Sequence, residues 1–91
     1  MRSIGFLETS SLARGVEAAD AMLKTAGVRL SRYEVTRDAL VTVLIHGPLG
    51  DVEAAVEAGA RAATRVGELV ARHVIPAPDP QLQEPIARSG R

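Results

Sequence analysis

Tyr33-Glu34-Val35-Thr36-Arg37-Asp38-Ala39-Leu40-Val41-Thr42-Val43-Leu44-Ile45 is the stretch whose reading decides the fold. β-Branched and aliphatic residues on either side of a short polar segment mark two strands joined by a turn. Outward from this hairpin, each strand leads through a helix-like segment to a further strand. The order is therefore β-α-β-β-α-β. The turn at the hairpin tip, Thr36, Arg37, Asp38 and Ala39, is the candidate functional loop.

On the N-terminal side, Ser3 to Glu8 reads as a short, mostly apolar strand, and Thr9-Ser10-Ser11 offers hydroxyl N-caps for a helix. From there apolar residues recur at Leu12, Val16, Ala19, Leu23 and Ala26, with Arg14, Glu17, Asp20 and Lys24 on the other side. The spacing predicts an amphipathic helix with that stripe inward and Gly27 as its C-terminal left-handed residue. In the next strand the apolar positions change parity, from Val28 and Leu30 to Tyr33 and Val35, which predicts a bulge near Ser31 and Arg32. Leu40 to Ile45 hardly alternates, so both of its faces are expected to be covered.

On the C-terminal side, Gly47-Pro48-Leu49-Gly50 breaks the strand and Asp51 can cap a second helix running to about Val66. Its inner stripe is small: Val52, Ala55, Val56, Gly59, Ala63 and Val66. Glu57 and Arg61 stand four apart in the favourable order for an ion pair. Leu69 to Ile75 is the last strand, and Pro76, Pro78, Pro80 and Pro85 rule out more sheet. Residues 1–76 are thus read as the domain and 77–91 as a Pro-rich C-terminal tail, with one helical turn near Gln81 to Glu84. The pattern is α+β, a ferredoxin-like βαββαβ arrangement with a four-stranded antiparallel sheet and two helices on one face.

The core of such a domain is thin. A 91-residue chain buries only about 60–65% of the surface its unfolded form exposes. Phe6 and Tyr33 are the only aromatics. With no Cys for disulfides and only His46 and His73 as nitrogen ligands, oligomerisation is the expected support. Eleven basic residues balance eleven acidic ones, so no net field draws the chain to nucleic acid or anionic lipid. The start of the sequence lacks a basic and apolar leader, and no apolar run approaches the roughly 20 residues of a membrane span. No nucleic-acid or membrane partner is expected, and the cytoplasm is the default location.

No catalytic set emerges. His46 and His73 have no local carboxylate, thiol or second nitrogen, so both are read as structural, without a metal. Capping accounts for Ser10 and Ser11, and Gly47 to Gly50 lacks the lysine and glycine spacing of a phosphate loop. No cofactor is expected.

Taken together, Ile4-Gly5-Phe6-Leu7-Glu8-Thr9, Val16-Glu17-Ala18-Ala19-Asp20-Ala21-Met22-Leu23-Lys24, Leu40-Val41-Thr42-Val43 and His73-Val74-Ile75-Pro76 resemble the bacterial microcompartment shell family. The likeness is to its single-domain, hexamer-forming members and covers residues 3–76. It implies a non-enzymatic structural protein of the bacterial cytoplasm: a cyclic homo-hexamer that tiles with other shell proteins into a sheet around encapsulated enzymes. A central pore lined by Thr36, Arg37, Asp38 and Ala39 would pass small polar metabolites. Family members usually carry Gly and Ser in that turn, so Arg37 and Asp38 depart from the pattern. Six carboxylates about 6 Å from their neighbours would repel by roughly 0.7 kcal/mol per pair in water and about 3 kcal/mol at an effective dielectric of about 20. Asp38 is therefore expected to turn outward, pair with Arg37, or share a cation or proton. The family's edge lysine corresponds to Lys24. Gly27 stands where a polar residue is common, and Ala77 where an arginine often follows. The loss of that arginine's donor fork predicts weaker sheets. The alternative is a dimeric, ACT-like regulatory domain binding a small molecule near Thr9-Ser10-Ser11.

Overall fold

Six elements form in the expected order: β1 (Ser3–Thr9), α1 (Leu12–Leu23), β2 (Arg29–Val35), β3 (Val41–Gly47), α2 (Leu49–Thr64) and β4 (Leu69–Ile75). The structure is a computed structural model that describes residues 3–25, 27–36, 38, 40–64 and 69–82. The sheet order is β2-β3-β1-β4 with every neighbouring pair antiparallel. Gly5, Leu7 and Thr9 of β1 lie opposite Ile45, Val43 and Val41 of β3, and all six are buried. This is the face that the helices cover. On the other face Phe6 and Glu8 lie opposite Leu44 and Thr42, and all four are only half-buried. The near-continuous apolar run of β3 thus has one face covered fully and the other in part.

The bulge falls at Ser31, since Leu30 pairs with Ile45 and Arg32 with Leu44. Its consequence is a side-chain hydrogen bond between Ser31 Oγ and His46 Nδ1, which ties β2 to β3 across the irregularity.

Ser11 caps α1, its hydroxyl accepting from the Arg14 amide at 3.2 Å. The inward face of this helix differs from the expected stripe. Gly15, Ala18, Ala19 and Met22 are buried, while Leu12, Val16 and Leu23 are 54%, 53% and 42% exposed. Size explains the exchange. A methyl group on Gly15 would lie 2.7 Å from Val41 Cβ and 3.0 Å from its Cγ2, so at this point the helix seats on the sheet only without a side chain. A leucine stripe would hold it away from the sheet. Ala26, the last position of the expected stripe, lies outside the described residues.

In α2 the helix starts earlier than expected. The Val52 amide donates to the Pro48 carbonyl at 2.9 Å, so Asp51 sits inside the first turn and favours the positive end of the helix dipole instead of capping it. Val52, Ala55, Val56, Gly59 and Ala63 are buried as predicted, and Ala60 and Ala62 join them. Val66 falls outside the described residues. Beyond β4 a helical turn covers residues 80–82, with the Gln81 amide donating to Asp79 Oδ1 at 2.8 Å and the Leu82 amide to the Asp79 carbonyl at 2.9 Å. Glu84 lies outside the described residues.

Two glycines on the helix faces give a graded test of this packing. Replacing either by Ala adds about 1 kcal/mol of helix propensity. At Gly59 the new methyl meets Met22 Cγ at 2.6 Å and Sδ at 2.9 Å, a flexible thioether that can yield. At Gly15 it meets the backbone-fixed Cβ of Val41. Gly15→Ala should therefore be less stable than Gly59→Ala by about 1–2 kcal/mol in denaturant unfolding.

Candidate functional site

The hairpin turn is closed by a reciprocal pair. The Thr36 amide donates to the Leu40 carbonyl at 2.9 Å, and the Leu40 amide donates back to Thr36 Oγ1 at 3.3 Å. A β-branched hydroxyl residue suits this position because it continues the strand and accepts the orphan amide. Thr36 and Asp38 are exposed; Arg37 and Ala39 lie outside the described residues. Just before the turn, Arg32 and Glu34 form an ion pair along β2.

Strand register places the other candidate residues. Arg29 and Ile4 both lie opposite His46, and Ile4 also lies opposite Ile75. The start of β2, the end of β3 and the end of β4 are therefore at one end of the sheet. Lys24 and Gly27 immediately precede that end and Ala77 follows it. The turn at Thr36 is at the other, beyond the Val35–Val41 pair.

Lys24 closes α1 as its C-cap, and its Nζ is 2.8 Å from Asp20 Oδ2 with both side chains largely exposed. The hydrogen bond that Lys24 donates to Asp20, together with the charge of that carboxylate, raises the lysine pKa above the ordinary value. The pairing follows from the sequence spacing, since Asp20 stands four residues before Lys24. Gly27 has φ +86°, the left-handed conformation expected of it, although four residues past the last helical residue, Leu23, and not adjoining it. The Asp51 carboxylate lies directly over it. On the other side the Gly27 carbonyl oxygen packs against Gly47, whose Cα likewise has no room for a side chain. The segment after α1 is thereby seated on the β3–α2 junction. Ala77 has φ 46°, an uncommon conformation for a residue with a Cβ, costing roughly 1–2 kcal/mol.

His73 is exposed on β4 beside an open cleft of about 690 Å³ lined also by Glu53, Glu57, Arg61 and Arg72. Arg61 is engaged there by Glu57 at 2.9 Å. Among the described residues no cluster of His, Asp or Glu could hold a metal ion, and no helix is long and apolar enough to cross a membrane.

Comparison with known proteins gives these placements a context. A family model described as the BMC domain matches residues 3–78. The chain belongs to the BMC domain family. The bacterial microcompartment shell protein PduA of Citrobacter freundii is 48% identical over 82 residues, covering 90% of this chain and 88% of that protein. EutM of Escherichia coli, of the same description, is 42% identical over 92 residues, covering 99% and 95%. A crystal structure of a microcompartment protein from Desulfitobacterium hafniense superposes with a TM-score of 0.89 at 38% identity. It matches 97% of this chain, which spans about half (48%) of the length of that one. The role of this BMC-domain chain is structural, as a shell protein of a bacterial microcompartment. The regulatory-domain alternative is left without support.

The Asp20–Lys24 pair yields a sign-definite prediction. Because the Lys24 pKa is raised, the pair's contribution is fully present below the ordinary lysine pKa and is lost as pH rises through the raised value. At neutral pH it is constant. Asp20→Asn should lower the Lys24 pKa toward that of an exposed lysine, read from the side-chain εCH₂ resonance in an NMR titration.

Proposed function

We propose that six copies of this BMC-domain chain close into a ring, with the Thr36, Arg37, Asp38 and Ala39 turn bordering a central pore and Lys24, Gly27 and Ala77 on the perimeter. The observation that carries the reading is the separation of these two groups to opposite ends of the sheet. One end can face an axis while the other faces a neighbouring ring. Head-to-tail rings need two different, complementary surfaces on each copy. The two edge strands offer them: Leu30 and Val35 are exposed on β2, and Val70 and Ile75 on β4. An unpaired strand edge carrying apolar side chains is a surface that wants a partner.

In this role residues 1–76 supply the shell unit and 77–91 the tail. The rings tile with copies of themselves and with other shell proteins, around enclosed enzymes, and small polar metabolites cross through the pore. No catalytic step is assigned to the chain. Lys24, exposed at the seam and held by Asp20, supplies the principal polar contact between rings, and Ala77 offers no donor fork beside it.

The mass in solution tests the ring directly: six chains are expected, and a stable monomer or dimer would refute it. Lys24→Ala should abolish sheets in electron micrographs while leaving the ring mass unchanged. For the pore, Arg37→Ser and Asp38→Ser should shift ion selectivity in opposite directions in planar-bilayer conductance. Unchanged selectivity in both would remove this turn from the transport path.

A further inference from the structure

Gly27 is the perimeter position where a polar side chain is common in the family, and its left-handed φ of +86° is one reason for a glycine there. The structure supplies a second. A Cβ built on Gly27 would overlap the Asp51 carboxylate, with Asp51 Cγ at 2.7 Å and Cβ at 3.3 Å. Asp51 is half-buried in the first turn of α2, whose start is fixed by the Val52 amide bonding to Pro48, so a side chain at position 27 requires the carboxylate to leave the place it holds here. On its far side the Gly27 carbonyl is pressed against Gly47, which lies within 3.3 Å, by the position of its would-be Cβ, of Val28 Cα. The segment cannot retreat in that direction either.

We infer that Asp51 is a positioning and specificity-determining residue of the ring perimeter: its carboxylate takes the space that a side chain at position 27 would occupy, and it seats the segment that carries Lys24. This rests on the perimeter reading above and deepens it. Three consequences follow from the geometry. The perimeter of this protein carries an anionic group at the start of α2 in place of a polar side chain at position 27. Position 27 and position 51 are coupled in size, so that a side chain added at 27 calls for a smaller or displaced one at 51. The partner this surface suits is a neighbouring ring presenting a cation at the seam, which Lys24 of a second copy is chemically able to be. The Gly47 to Gly50 breaker thus acts as the support of the perimeter, and not only as a turn.

The test is a double-mutant cycle. Asn tolerates the left-handed conformation of Gly27, so Gly27→Asn isolates the overlap with Asp51 from backbone strain. Gly27→Asn should lower the melting temperature of the assembled protein by roughly 5–10 °C. Gly27→Asn combined with Asp51→Ala should recover most of that loss. An equal fall in melting temperature in both backgrounds would overturn the coupling. Asp51→Asn keeps the shape and removes the charge. It should leave the melting temperature and ring mass near those of the parent and weaken sheets, raising the protein concentration needed for them several-fold. Sheets forming at the parent's concentration would overturn the charge role. The cycle is read on thermal stability, whether or not sheets form, so it stands apart from the perimeter reading. That reading fails separately if Lys24→Ala leaves sheets intact.

Discussion

Helices and sheet meet here through side chains that are almost nothing: Gly15 over Val41, Gly59 over Met22 and Leu7, Gly5 beneath Val52 and Val56. Close approach is what these contacts require, and the rest of the structure follows from it. With the two helices drawn onto β1 and β3, the chain becomes a slab of 34 × 27 × 17 Å. A slab this thin has little interior, which agrees with a core in which alanines and valines outnumber every larger side chain. The larger aliphatic residues are displaced outward. Leu12, Val16 and Leu23 on α1 are exposed because Gly15, Ala18, Ala19 and Met22 have taken the inner face.

That displacement connects packing to assembly. Leu30, Val35, Val70 and Ile75 each leave a third to a half of their surface in water, and covering the remainder is worth on the order of 1 kcal/mol apiece. A monomer forgoes these contributions, and its small core cannot readily replace them. An assembly that covers both edge strands recovers them in every copy. A flat unit with apolar edges and a half-covered second sheet face has the shape and the surface chemistry of a tile, consistent with its family.

Much of this was legible in the chain, and the parts that were not share a cause. Element order, the bulge at Ser31 and the small stripe of α2 were readable because each is written in local alternation or spacing. The inner face of α1 was not, since hydrophobicity ranks Leu12 and Val16 above Gly15 and Ala18, and only the distance to Val41 reverses the ranking. Asp51 was misread for a related reason. An acidic residue after Gly-Pro-Leu-Gly looks like a cap, yet the helix begins two residues earlier and the carboxylate is turned to Gly27, which is remote in sequence. Lys24 was identified by family likeness, whereas its partner Asp20 needed only the four-residue spacing. Contacts between elements that pattern cannot see account for each of these misses.

The hairpin tip shows the opposite relation between sequence and structure. Thr36 and Leu40 bond to one another through both amides, so the turn is closed by its two outermost residues, and the hydrophobic core ends one pair earlier at Val41. Asp38, exposed between them, can change in charge and size without a cost in core packing. On the ring reading, this separates the composition of the pore border from the stability of the unit that carries it. A charged Asp38 is then accommodated at no expense to the fold, and any cost of bringing six such turns together would be electrostatic and confined to the axis. The opposite end of the sheet, where Gly27 lies, has no such independence. There Gly27, Gly47 and Asp51 fill one another's space, and a change in what the edge presents must be matched by a change in what supports it.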